Sequence, residues 1–148
     1  MDTWKMRLFG WFKVPMIGYV RPKVVHVDDQ RVDVVVPLNR RTKNHLRSMY
    51  FGALAVGADV AAGYLALRRI QSANRPVSFV FQDVQGEFLR RPTADVTFTC
   101  QDGDRVQRIV EKTLLDGARH AETVAVTCTV AGDVVARFRL TLSVKARK

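Results

Sequence analysis

The stretch NHLRSMYFGALAVGADVAAGYLA, Asn44 to Ala66, carries a single carboxylate, Asp59, in a run of Ala, Gly, Val and Leu. Counted by helical steps, its face also carries Gly52, Ala55, Val56, Ala62 and Gly63, none of which can pair with a charge. A solvent-facing Asp would ordinarily have Lys or Arg three or four positions away, and this one has neither. Asp59 is therefore either buried at a cost in a structural network or placed there for chemistry. Asn44 stands just before the helical pattern, where Asn commonly serves as a cap or turn residue. His26, His45 and His120 lack companions at metal-ligand spacing, so no metal is expected. Cys100 and Cys128 lie far apart in β-like segments and read as reduced thiols in or near the core.

The remaining chemistry-bearing groups are cations. They cluster as Arg40, Arg41, Lys43 and Arg47 in NRRTKNHLR, as Arg68 and Arg69, and as Arg90 and Arg91. Taken singly each is a solvated face, but together they give 148 residues a formal charge of +10. Such a balance attracts anions, whether nucleic acid, an acidic membrane surface or a phosphorylated small molecule. No recognition helix, zinc site or aromatic stacking motif accompanies the charge, so nucleic acid is not the favoured partner. The composition, 47% hydrophobic and 26% charged, is that of one globular domain over residues 1–148. No uninterrupted apolar run approaches the ~20 residues of a bilayer span. The apolar start, MDTWKMRLFGWFKVPMIGYV, is broken by Lys5, Arg7 and Lys13 and lacks a cleavage site, so a cytoplasmic location is expected.

The elements that must position these groups follow from periodicity. Trp4, Leu8, Trp11 and Phe12 recur at helical spacing, predicting an amphipathic helix within residues 1–14 that ends before Pro15. It would cap the sheet; contact with a membrane surface is the less favoured use. KVVHVDDQRVDVVVPL predicts a β-hairpin turning at Asp28, Asp29 and Gln30. One long helix spans about 48–70, with Arg68 and Arg69 at its negative end. Its glycines, Gly52, Gly57 and Gly63, weaken the helix and are expected to admit another backbone at close range. VSFVFQDVQGEFL, ADVTFTC, ETVAVTCTV and DVVARFRLTLSVK predict four strands, the last two joined at Ala131-Gly132-Asp133. A second helix, with Val106, Ile109, Val110, Thr113 and Leu114 on one face, starts at Asp102 or Asp104 and ends at Gly117, and His120 falls in the loop after it. The result is an α+β domain, a mainly antiparallel sheet curled around one long helix.

A small-residue helix with an acid near its middle, preceded by a hairpin and followed by a strand ending in EFLRRP (Glu87 to Pro92), resembles the hotdog-fold acyl-CoA thioesterase superfamily. Within it the segment is similar to the phenylacetyl-CoA thioesterase group and to related uncharacterised hotdog domains. That group's motif runs Asn, then His-Gly-Gly at the helix start, then Leu-Ala-Asp two turns in. Here Asn44 stands at the spacing of the Asn, Gly52 at the second Gly, and Gly57, Ala58 and Asp59 at the Leu-Ala-Asp; Tyr50 replaces the His and Phe51 the first Gly. Glu87 to Pro92 is similar to the strand that ends Phe-Leu-Arg-Pro in those domains.

The resemblance implies a homodimer or homotetramer that hydrolyses an acyl-CoA at the subunit interface. No separate cofactor is needed, since coenzyme A enters as part of the substrate. Asp59 would act as general base or nucleophile, Gly52 would donate its N–H to the developing oxyanion at the helix N-terminus, and Asn44 would orient water or the carboxylate. Tyr50, Phe51, Arg90 and Arg91 would contact substrate, the arginines suiting phosphate. Two alternatives stand beside this: a non-catalytic hotdog protein that binds an acyl chain or acyl-CoA, and a basic protein acting on nucleic acid or a membrane surface.

Overall fold

The computed structural model describes Thr3, Trp4 and residues 13–147. The amphipathic helix expected at the N-terminus lies largely outside these residues. Pro15 opens a helix that the pattern does not predict: α1 runs Pro15–Val20 with Pro at its first position, where a missing N–H removes no helical bond. It buries Ile17, Gly18 and Val20 and stops at Arg21, whose φ of 57° is left-handed.

The expected hairpin forms from β1 (Lys23–Val27) and β2 (Val32–Val36). Asp28 holds its turn together, with Oδ1 accepting 2.8 Å hydrogen bonds from the N–H groups of Gln30 and Arg31. His26 lies 2.7 Å from the other oxygen, and this bond, with the two backbone bonds, pulls the Asp28 pKa down to about 2. In β2 the alternation is complete: Val32, Val34 and Val36 are fully buried, while Asp33 faces the other side and accepts bonds from Arg31 and from Thr99 at 2.6 Å.

The long helix, α2, spans Phe51–Gln71. It starts three residues later than the pattern implied, because residues 44–48 close into a loop whose Asn44 Oδ1 accepts the N–H groups of Leu46 and Ser48 at 2.9 and 3.1 Å. Arg68 and Arg69 do occupy its last turn. By length and composition α2 could cross a bilayer, contrary to the reading of the sequence. Here it is the core of the domain, with Ala58, Ala61, Leu65 and Ala66 fully buried against the sheet. Gly57 lets it come close. A Cβ at this position would lie 2.7 Å from Cδ2 of Phe98, and closer still to Cε2 and Cζ. The neighbour is thus a ring, not the expected backbone, and neither Gly52 nor Gly63 meets another strand or helix backbone.

After α2 come β3 (Val77–Phe88), β4 (Val96–Cys100), α3 (Gly103–Asp116), β5 (His120–Val130) and β6 (Asp133–Ala146). Asp102 stands at the cap position of α3, but its carboxylate accepts the N–H of Ala125 at 2.7 Å instead of capping the helix. Gly117, at φ 71°, ends α3 as expected. His120 opens β5 and does not lie in the loop before it; Asp116 holds it at 2.9 Å. The six strands form one antiparallel sheet in the order β1-β2-β4-β5-β6-β3. At one edge, Thr3 Oγ1 accepts the Val24 N–H and donates to the Val24 carbonyl. At the other, no described strand covers β3, which leaves Val80, Val84 and Phe88 more than half exposed. A curled antiparallel sheet around one long helix is the hotdog fold.

Candidate active site

One side of α2 is packed on the sheet. The opposite side, carrying Gly52, Ala55, Val56, Asp59 and Gly63, is only half-buried. Two pockets open along it, one at the start of the helix and one two turns further on.

The first, of about 490 Å³, brings together five of the residues singled out in the sequence: Asn44, Tyr50, Phe51, Arg90 and Arg91. His45 and Leu89 also border it. Tyr50 and Phe51 pack edge to face, with centroids 4.8 Å apart, and Phe51 is 63% exposed, so its ring stands outward from the helix end. No side chain caps α2, and the N–H groups of its first turn have no partner within the helix. Gly52 belongs to that turn; the nearest neighbour of an added Cβ there would be the Tyr50 ring, at 3.0 Å. These N–H groups and the positive end of the helix dipole make this pocket suited to a negative oxygen. Arg91 has no charged partner among the described residues, and Arg90 has only a 3.7 Å contact with Asp133. Asn44 is part of this wall, but its amide is engaged within its own loop, including a 2.9 Å bond from Nδ2 to Ser48 Oγ. It holds the loop in shape and does not reach Asp59.

The second pocket, of about 380 Å³, holds Asp59. The helix supplies Val60, Gly63, Tyr64 and Leu67, α1 and its approach supply Ile17 and Val14, and β3 supplies Phe79, Val80 and Phe81. Among the described residues, nothing hydrogen-bonds or ion-pairs with the Asp59 carboxylate, and burial alone pushes its pKa above the ordinary carboxylate value. A half-buried acid whose pKa is raised, at the wall of an apolar pocket, can take a proton from water at a polarised carbon. The walls are not legible in the sequence, because inward-facing aromatics of a strand are indistinguishable from core; of the lining residues only Gly63, four residues from Asp59, is placed on its helical face by spacing.

Asp59 and Gly52 are seven residues apart, about 10 Å along a helix. A single carbonyl cannot meet both within one chain. No cluster of His, Cys, Asp and Glu able to hold a metal occurs among the described residues. Cys100 and Cys128 are buried, and desolvation pushes both thiols up to about 12, which makes them inert.

Similar solved structures share this architecture. A probable thioesterase from Pseudomonas aeruginosa, described as a protein of unknown function, superposes with a TM-score of 0.83 at 20% identity over 99% of this chain and 97% of its own. A putative thioesterase from Shewanella oneidensis gives 0.79 at 17% identity over 99% and 100% of the two chains. A protein of unknown function from Chlorobaculum tepidum gives 0.84 at 11% identity over 99% and 95%. No curated protein matches the sequence. The profile of the domain of unknown function DUF4442 matches residues 3–144, nearly the whole length. This chain, a hotdog-fold protein, belongs to the DUF4442 family.

Proposed function

We propose that this protein hydrolyses an acyl thioester of the acyl-CoA type, with Asp59 as its base. One observation carries the reading: the carboxylate of Asp59 is half-buried at the wall of an apolar pocket, with no hydrogen-bond or ion-pair partner among the described residues. Asp59 takes a proton from water, and the oxygen attacks the thioester carbon. The tetrahedral oxyanion is held by the N–H groups at the start of α2, Gly52 among them. Collapse breaks the C–S bond, and the thiolate leaves with the proton from Asp59, giving a carboxylic acid and a free thiol. Direct attack by the carboxylate would pass through an anhydride and give the same products.

Because Asp59 and Gly52 are two turns apart, the oxyanion site and the base acting on one carbonyl belong to two copies of the chain. This supports a homodimer or a larger even assembly. The long edge of β3, which no described strand covers, lies beside the Asp59 pocket and suits such pairing. In that arrangement Arg90, Arg91, Tyr50 and Phe51, gathered at the helix start, face the coenzyme A portion, and the apolar pocket takes the acyl group. The thioesterase descriptions of the Pseudomonas and Shewanella proteins agree with this reading.

The test is release of free thiol from a panel of acyl-CoAs by wild type and Asp59→Asn. Saturable hydrolysis lost in the variant supports the reading. A panel untouched by folded wild type, or a variant with normal turnover, sinks it.

A further inference from the structure

We infer that the outer face of α1, with the cations around it, seats this protein on an anionic membrane surface. The inference goes beyond the thioesterase reading and does not depend on it.

α1 packs on α2 through one side, with Ile17, Gly18 and Val20 buried. The other side is left to solvent. Met16 and Tyr19, three residues apart and so on the same side of the helix, are 66% and 57% exposed. Neither lines either of the two pockets, so no cleft of this chain accounts for them. Trp4 is 56% exposed as well, and its neighbour Thr3 is tied to Val24, four residues beyond the end of α1. Both tryptophans of the chain, Trp4 and Trp11, precede α1, interleaved with Lys5, Arg7 and Lys13. Trp and Tyr, each an apolar body with a polar tip, are the side chains that settle at the headgroup level of a bilayer.

The charge around this face is of one sign. Lys13, Arg21 and Lys23 flank α1, and Arg40 and Arg41 belong to the loop after β2; all five are exposed. The Arg41 guanidinium lies 5.6 Å from the centroid of the Tyr19 ring, which brings loop and helix together. Residues 13–27 and 39–47 contain no Asp or Glu. Asp95, which meets the start of the loop, accepts the Leu38 N–H at 2.8 Å. None of the five cations belongs to an ion pair among the described residues. Apolar tips among uncompensated cations fit anionic lipid, the tips entering the headgroup boundary and the cations meeting phosphates. By sequence alone membrane contact is the less favoured use of the N-terminal segment; the exposure of α1 is what favours it. The cations would suit an acidic protein equally, and Met16, Tyr19 and Trp4 are what favour lipid.

The experiment sediments the full chain with vesicles of phosphatidylcholine, alone or with one third phosphatidylglycerol, and follows tryptophan emission, which reports residues 4 and 11 alone. Wild type is expected to bind the anionic vesicles, to bind phosphatidylcholine weakly, and to be quenched by brominated lipid. Met16→Ser with Tyr19→Ser, and Arg21→Gln with Arg41→Gln, should each lower the partition coefficient about tenfold or more. Their melting temperatures should hold, since all four side chains are exposed. Wild type that stays in solution with both kinds of vesicle overturns the inference, as does binding that both variants retain. Loss in the arginine variant alone marks adsorption by charge without the α1 face, and overturns it too. If Met16→Ser with Tyr19→Ser breaks up an assembly of the protein while wild type ignores vesicles, the face joins copies of the chain and the inference fails.

Discussion

Asn44 and Asp59 border different pockets of the same chain, one at the start of the central helix and one two turns along it. A site that uses both ends of this face on one carbonyl must therefore be shared between copies. Gly52→Pro removes a backbone donor at a first-turn position where proline is tolerated, and should cost about 10²–10³ in kcat. Asp59→Asn removes the base. Co-expressed, the two inactive variants should recover roughly a quarter of wild-type activity, because half of randomly mixed dimers carry one intact site. Assay of the tagged heterodimer checks this, and no recovery would place the whole site within one chain.

Asp59→Asn alone should lower kcat by about two orders of magnitude or more, the usual contribution of a general base. It should also stabilise the protein at neutral pH. Burial raises the folded-state pKa above 3.8, so the folded chain holds this proton more tightly than the unfolded one. Stability from the group is then full below the unfolded value and is lost as pH rises through the folded value. Urea titrations should show the variant ahead at pH 7 and the lead shrinking as pH falls towards 3.8.

The same shift has a kinetic signature. With Asp59 as the proposed base, its ionised form is the active one, so kcat/KM should rise from the acid side with an inflection above the ordinary Asp value of 3.8 and then level off. The acid limb should vanish in the residual activity of Asp59→Asn.

Gly57→Ala should destabilise by about 1–3 kcal/mol, since its methyl would enter the Phe98 ring and force helix and sheet apart. Gly63→Ala, whose methyl would meet Phe81 and Phe79 of β3 at ordinary contact distances of 3.7 and 3.9 Å, should instead stabilise by about 1 kcal/mol through helix propensity. Chemical denaturation of the two variants distinguishes a glycine that the packing requires from one that it does not.

Arg90→Gln with Arg91→Gln should raise KM for acyl-CoA several-fold and weaken its dependence on salt, if these side chains meet the phosphates of coenzyme A. An acyl thioester of N-acetylcysteamine, which has no phosphate, is the control. Its KM should not move.

Much of this was legible in the sequence. Val32, Val34 and Val36 announced a one-sided strand, and the apolar helix was visible by its length and its small residues. Asp59 stood out because nothing near it in sequence could neutralise it. What could not be read were relations between distant segments. Asn44 has the spacing of a site residue, yet its side chain is bound up in a local loop. Phe79 and Phe81 look like ordinary strand aromatics until the sheet order sets them across from the helix row that begins at Asp59. Gly57 and Gly63 are the same letter in the same helix, one against a ring and one beside an open groove.

The sheet order also dictates when the molecule can be finished during its synthesis. β3 follows the central helix in the chain, but its partner among the described strands is β6, with Val77 opposite Ala146 and Phe88 opposite Ala136. A nascent chain that has already made the helix and the aromatic wall must keep residues 77–88 unpaired until 133–146 have left the ribosome. The Asp59 pocket is thus among the last features to close, and a β3 with many exposed apolar side chains is the segment most in need of shielding while it waits.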